Sequence, residues 1–405
     1  MSNLARTYHT NVGAPARKAL LVSVLVAVFG LGACTVEDAE NDAQADQQPV
    51  EVVPAAIATS YEDAESQANP SEPIVLDVTD GVFDEVTATN EQGREVEGAF
   101  NEERTTWRTT ETLGYNRTYS IEATATGAGG EQISDTSSFS TIVPGDTANA
   151  SLVTGQETTV GIGQPVAVLF DKPIKDRRAA EAAIEVTTTP EVEGAFYWVS
   201  QSEVRWRPAR YWDPGTEVTV DVNIYGAHLG GDLYGAQDTG SDFSIGDAVV
   251  TTIDDDTKMM TTTVNGEVTN SVPVSLGKSS TPTPNGVYYV SDKHASMIMD
   301  SSTFGVPVDS PEGYRTPVDW ATRISYSGIF VHGAPWSVWA QGNTNVSNGC
   351  INATNAEAKW FYDNHTLGDV VEVVNTVGPT LEGTDGLGDW NIPWQTWKTG
   401  NADQL

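Results

Sequence analysis

The sequence predicts a mainly β protein, with two immunoglobulin-like β-sandwich domains followed by a β-rich C-terminal domain that has one main helix. Three observations carry this. From about Ile57 to Gly246 the chain is rich in Thr and Val, is broken by turn signals and has no helical period. The same region repeats itself. Beyond Asp247, strand-like runs become regularly spaced around Gly turns, and one helical stretch follows Cys350.

The repeat can be read residue by residue. Glu95-Val-Glu-Gly-Ala-Phe100 recurs as Glu191-Val-Glu-Gly-Ala-Phe196, and Trp107 is matched by Trp206, each beside Arg. Tyr119-Ser-Ile121 parallels Val218-Thr-Val220, and Phe139-Ser140 parallels Phe243-Ser244, so the offset grows from 96 to 104 residues. A period of that length means duplicated domains, not a solenoid, and each copy is the size of an immunoglobulin-like sandwich. Residues 57–143 and 144–247 are the two copies. Thr216-Glu-Val-Thr-Val-Asp-Val222 alternates as a strand with one buried face. The shared Trp and Phe are expected in the cores. Lys175 to Ile184 reads as a short helix across one edge of the second sandwich.

Ahead of the repeat, Arg6, Arg17 and Lys18 precede an apolar run, Ala19 to Phe29, too short for a comfortable membrane span. This is the layout of a secretory signal peptide. It ends in Leu31-Gly-Ala-Cys34, which resembles a bacterial lipobox. That resemblance implies cleavage before Cys34 and diacylation of its thiol, and two acyl chains give stable anchoring. A plain signal peptide with an incidental cysteine is the competing reading. Residues 1–34 are thus a signal peptide ending at the lipobox Cys. Residues 35–56, acidic and without an aromatic side chain, are a flexible tether.

Bulk properties exclude several classes. The 405 residues suffice for two or three domains, and 39% hydrophobic with 19% charged residues suits globular folding. A formal net charge of −35 opposes nucleic-acid binding, which needs clustered Lys and Arg. Asp254-Asp-Asp256 reads as a solvated turn, and His228, His294 and His365 fit no zinc spacing. No Gly-rich phosphate loop is present. No metal and no cofactor are expected.

The two cysteines call for separate explanations, because Cys34 ends a targeting segment and Cys350 lies deep in the last domain. His332 closes the apolar run Ile329-Phe-Val-His332, and Cys350 follows eighteen residues later in Asn345-Val-Ser347-Asn348-Gly349-Cys350-Ile-Asn352. A thiol needs a base to become a nucleophile near neutral pH, and an imidazole can serve. Thr354 and Glu357 form a capping-box pattern, which would put Cys350 just before a helix N-terminus whose dipole favours thiolate. Gly349 allows close approach, and N–H groups around Gly349 and Cys350 would suit an oxyanion hole. A lone Cys is also an ordinary buried hydrophobe and a lone His an ordinary structural residue. Taken alone, these residues leave both readings open.

The arrangement resembles the YkuD-type L,D-transpeptidase family. That family carries a His, a spacer, and then Ser/Thr-His-Gly-Cys followed by an apolar residue and Asn or Arg. The resemblance runs from about Val264 to Trp397 and includes the turns Val274-Ser-Leu-Gly277 and Thr283-Pro-Asn-Gly286. It is closest to the mycobacterial and corynebacterial branch, which also sets immunoglobulin-like modules before the catalytic domain. It implies a catalytic domain over 248–378 and a C-terminal extension, 379–405, packing on it.

Carried onto this sequence, the resemblance implies Cys350 as nucleophile, His332 as its base and the Gly333 carbonyl as third member. It implies substrate contacts at Tyr314, Ser327, Gly328, Ser347, Asn348, Gly349 and Asn352, with Met299 and Trp336 along the lid and substrate path. One departure stands out. The family's second His, two residues before the Cys, is Asn348 here, which can hydrogen-bond but cannot hold a proton at neutral pH.

The implied activity is formation of 3→3 cross-links between peptidoglycan stem tetrapeptides through a thioester, with release of D-Ala and susceptibility to carbapenems. An L,D-carboxypeptidase or a non-catalytic wall-binding lipoprotein are the alternatives. The expected partners are donor and acceptor stems and, through Cys34, the outer face of the plasma membrane. A monomer acting in the cell wall is expected.

Overall fold

The computed structural model describes residues 53–60, 67–310 and 313–404. Cys34, the signal segment and nearly all of the tether lie outside the described residues.

The first sandwich sets the sheet Ala56–Thr59, Val75–Thr79, Thr106–Thr109, Gly98–Phe100 against the sheet Glu95–Val96, Gly81–Asn90, Thr118–Gly127, Gln132–Ser140. Leu76, Phe83, Trp107, Ile121 and Phe139 fill the space between them. In the second, Ala150–Leu152, Val166–Phe170, Glu203–Pro208 and Gly194–Ser200 face Thr158–Val160, Thr239–Ile245, Glu217–Val222 and Ile184–Thr189. Val168, Trp198, Trp206, Val220 and Phe243 are buried there.

The duplicated Gly–Trp pair has one physical reason in both copies. A Cβ on Gly98 would come within 2.1 Å of Trp107 Cζ2, and one on Gly194 within 1.9 Å of Trp206 Cζ2. The indole lies flat on the neighbouring strand, where only glycine leaves room. The helix expected over 175–184 is shorter, Arg177–Ala182, with the Asp176 side chain accepting from Ala179 N–H at 3.0 Å. Ile184 already pairs with Val222 in a strand.

The C-terminal unit has a five-stranded sheet, Glu267–Pro273, Met259–Val264, Val249–Asp254, Val370–Val374, Gly286–Tyr289. Val370–Val374 is almost uninterrupted valine because it pairs on both edges deep inside the sheet. A second sheet runs Lys293–Asp300, Arg315–Arg323, Phe330–Gly333, Ile351–Ala353. The helix Asn355–Asn364 buries Ala358 and Phe361 against the core that joins the sheets. Its N-cap Thr354 accepts from Glu357 N–H at 3.2 Å.

The extension after residue 378 packs on the C-terminal unit only over its first part. Asn285 N–H donates to Pro379 O, and Asn391 brackets Val287 through both its amide atoms. From there it turns onto the second sandwich. Trp397 is fully buried and donates its indole N–H to Ala195 O at 2.7 Å, while Asn401 pairs with both backbone groups of Trp198. The extension thus packs on the C-terminal unit and also covers the second sandwich, where the Trp397 indole is buried.

Candidate active site

The site is built by register. Phe330–Gly333 pairs in parallel with Ile351–Ala353, and His332 lies opposite Asn352. Cys350 is two residues before Asn352, so it projects to the same face as His332. Both line one cleft of about 290 Å³ with Met299, Tyr314, Trp336 and Asn348. Ser347 and Asn352 also border it. Ser327 and Gly328 do not. They line an adjoining depression of about 110 Å³, which Tyr314 and Asn348 share with the main cleft.

His332 is buried, and its Nδ1 lies 3.0 Å from Gly333 O. A carbonyl only accepts, so Nδ1 carries the hydrogen and Nε2 holds the lone pair. Burial pushes the His332 pKa below the ordinary value, against the opposing pull of Gly333 and Asn352. The Asn352 side chain is itself fixed by donating to Ser337 Oγ at 3.1 Å. Glycine at 333 is a packing need, since a Cβ there would come within 2.3 Å of Asn355 Oδ1.

Cys350 is a buried free thiol, set among Met299, Val318, Ala321 and Phe330. Its Sγ donates to Gly328 O at 3.5 Å. Burial pushes its pKa up to about 11, outweighing the lowering influence of Phe330 N–H and Arg323. The resting pair is therefore neutral thiol and neutral imidazole. The expected help from a helix dipole is not realised. The strand Ile351–Ala353 separates Cys350 from the helix, and such a field fades within the first turn.

One of the expected oxyanion donors is corrected. Gly349 N–H already donates to Ser347 Oγ at 3.1 Å, and Ser347 Oγ donates to Cys350 O at 2.6 Å. Ser347 thus shapes the nucleophile's turn. Gly349 has φ +126°, a conformation that favours glycine. Tyr314 is half-buried beside the thiol, and its pKa is raised by burial and then by Cys350. Asn348 is exposed at the mouth.

Some positioning residues escaped the sequence reading. Buried Thr283 donates to Gly349 O at 2.7 Å and accepts from Gly277 N–H at 3.0 Å, so the turn of which it is part holds the nucleophile loop. Asp385, from the extension, accepts from Ser325 Oγ, Tyr326 N–H and Ser327 N–H at 2.8–3.0 Å. It fixes the turn whose next carbonyl, Gly328 O, receives the thiol. Thr283 stood in the sequence only as part of a turn motif, and Asp385 only as a polar residue between turn signals. Among the described residues no cluster of His, Cys, Asp and Glu is arranged to hold a metal ion.

Comparison with known proteins agrees with this architecture. Residues 65–228 match a bacterial Ig domain family and residues 248–373 the L,D-transpeptidase catalytic domain family. The chain is 54% identical to L,D-transpeptidase 2 of Mycobacterium tuberculosis (strain CDC 1551 / Oshkosh), over 82% of this chain and 81% of that one. It is 36% identical to L,D-transpeptidase 5 of M. tuberculosis (strain ATCC 25618 / H37Rv), over 86% and 78%. A solved L,D-transpeptidase in complex with imipenem is 40% identical, with a TM-score of 0.50, over 55% of this chain and 97% of that one.

Proposed function

This chain belongs to the L,D-transpeptidase family, and we propose that it forms 3→3 cross-links between peptidoglycan stem peptides through a thioester on Cys350. The observation that carries this reading is the shared cleft. A buried thiol and an imidazole whose Nδ1–H is held by Gly333 O open onto the same space.

In this mechanism, His332 Nε2 takes the Cys350 proton as the sulfur attacks the carbonyl carbon of the third residue of a donor tetrapeptide. The resulting oxyanion is held by Cys350 N–H, with Tyr314 OH assisting. Collapse breaks the C–N bond, and D-Ala leaves with the proton from His332. The side-chain amine of an acceptor stem then gives its proton to His332 and attacks the thioester. Sulfur departs as the new amide forms and regains the proton. The depression along Ser327 and Gly328 offers one stem a way to the sulfur while the cleft past Trp336 holds the other. Asn348 borders both and needs only to hydrogen-bond, so its replacement of a His is compatible with turnover.

With disaccharide-tetrapeptide, the chain from Ala55 onward is expected to give a dimer lacking one D-Ala by mass spectrometry, and Cys350→Ala none. Tripeptide alone would assign a carboxypeptidase. Unchanged tetrapeptide with folded protein would sink the enzyme reading in favour of a wall-binding lipoprotein. The imipenem complex of a similar transpeptidase supports a parallel expectation, one covalent imipenem on Cys350. The lipobox resemblance supports anchoring at the outer face of the membrane, and Cys34→Ser is expected to move the protein out of the membrane fraction. An unchanged fraction would discard the anchor.

A further inference from the structure

All eleven tryptophans lie among the described residues, and nine are buried or half-buried. The exposed two are Trp336, at 51%, and Trp339, at 68%, with Val338 between them at 50%. They share the loop 334–344. This loop is not loose. Ser337 and Ala340 are buried beneath it, Ala340 N–H donates to Ser337 O, Thr344 N–H to Ala340 O, and Gly342 N–H to Val274 O of the core, all at 2.8–2.9 Å. Asn352, beside His332, ties down Ser337. The fold thus holds three large apolar side chains rigidly in water, an arrangement that signals a contact surface.

The charge pattern narrows the partner. From Ile324 to Ala356 there is no Asp, Glu, Lys or Arg, in a chain that is 19% charged. The polar side chains within the loop are amides and hydroxyls, such as Gln341 and Asn343, and Asn348 lines the cleft with Trp336. The loop itself offers no counter-charge to a charged partner, and the net charge of −35 disfavours an anionic polymer. A pyranose fits. Its C–H face stacks on an indole, and its hydroxyl and acetamido groups pair with neutral amides. The surface is also continuous with the site, because Trp336 lines the cleft with its ring centroid 6.1 Å from that of His332.

We propose that the 334–344 loop is a glycan platform, on which Trp339 stacks against an N-acetylated sugar of the strand whose stem peptide occupies the cleft. The identity of the sugar rests on the transpeptidase reading, and Trp339 has no part in the chemistry.

The test measures binding, so it is independent of turnover. The full chain carrying Cys350→Ala is titrated with disaccharide-tetrapeptide and with the sugar-free tetrapeptide. The disaccharide ligand is expected to bind about tenfold more tightly, the scale of one aromatic face. Adding Trp339→Ala is expected to erase that difference and leave the tetrapeptide affinity unchanged, while Trp339→Phe retains most of it. Equal affinities, a sugar preference that survives Trp339→Ala, or no binding of either ligand would each overturn the platform. Absent cross-linking by the Cys350-bearing chain would instead count against the proposed activity alone.

Discussion

One repeated strand meets different surroundings in the two sandwiches. In Thr106–Thr109 of the first, Trp107 points into the core and Arg108 into solvent. In Glu203–Pro208 of the second, Trp206 is likewise buried, but the flanking Arg205 and Arg207 are buried too, at 3% and 2% exposure. Arg205 donates to Glu203, Tyr289 OH, Gly386 O and Asp389 at 2.6–2.8 Å. Burial opposes its charge, yet Asp389, Tyr289 and Glu203 together hold the guanidinium charged well above the ordinary range. Arg207 is sandwiched by Trp390 and Trp397, 4.5 and 4.3 Å from the ring centroids. The first sandwich, by contrast, meets the second through Tyr115 and Tyr225, which hydrogen-bond to Gly235 O and Leu113 O. Duplication thus preserved the inner face, while the outer face of the second copy became the mount of the C-terminal unit.

The strongest way to break that contrast is to remove an arginine that flanks the repeated Trp in each sandwich. Arg205→Ala leaves Asp389 buried without its cation and is expected to cost about 3–5 kcal/mol in urea unfolding. Arg108→Ala is expected to stay within about 0.5 kcal/mol. If the two cost the same, the second sandwich is not welded to the C-terminal unit.

This also explains what the sequence could and could not reveal. The cores were legible because the Gly–Trp and Phe positions recur with a fixed role in strand alternation. His332 and Cys350 were singled out by the family resemblance, since their spacing alone left both readings open, and the parallel register sets them on one face. The fate of Arg205 was not legible, since Arg beside a core Trp reads equally well as a solvated strand edge, as Arg108 is. Nor could spacing show that Gly349 N–H would be taken by Ser347, or that three strand residues would part Cys350 from the helix. Those outcomes depend on which carbonyls and hydroxyls the fold brings near.

A second expected effect sharpens the contrast through pH. Asp369 lies under the Gly161 loop of the second sandwich, so close that a Cβ on Gly161 would come within 2.3 Å of its Oδ1. Oδ2 accepts from Thr366 N–H at 2.8 Å, and Oδ1 has no partner among the described residues. Burial raises its pKa to about 7, against Thr366 N–H and the nearby Lys293. The folded state therefore binds the proton more tightly than the unfolded chain, and stability falls as pH rises from about 4 to about 7. Asp369→Asn is expected to stabilise the protein by about 2–3 kcal/mol at pH 9, with the gain shrinking as pH falls through 7. A gain independent of pH between 5 and 9 would mean that this carboxyl does not titrate at the junction.

The smallest expected effect on stability asks whether the mount reaches the nucleophile. Arg205 donates to Gly386 O, next to Asp385, which holds the Ser325–Ser327 turn, and Gly328 O in turn receives the Cys350 thiol. Each link is a rigid hydrogen bond, but a chain of contacts is not by itself evidence of coupling. Asp385→Ala removes three of those bonds at a partly exposed turn, and a loss of about 1–2 kcal/mol is expected. The freed turn would move Gly328 O from the sulfur, and imipenem acylation of Cys350, followed by intact mass, is expected to slow about tenfold. Tyr115→Phe, at the junction of the two sandwiches, is expected to leave that rate unchanged. Equal rates in Asp385→Ala and the parent chain would confine the extension to mechanical support. A slower rate in Tyr115→Phe would mean that the first sandwich is coupled to the site as well, and the contrast between the two copies would lose its functional meaning.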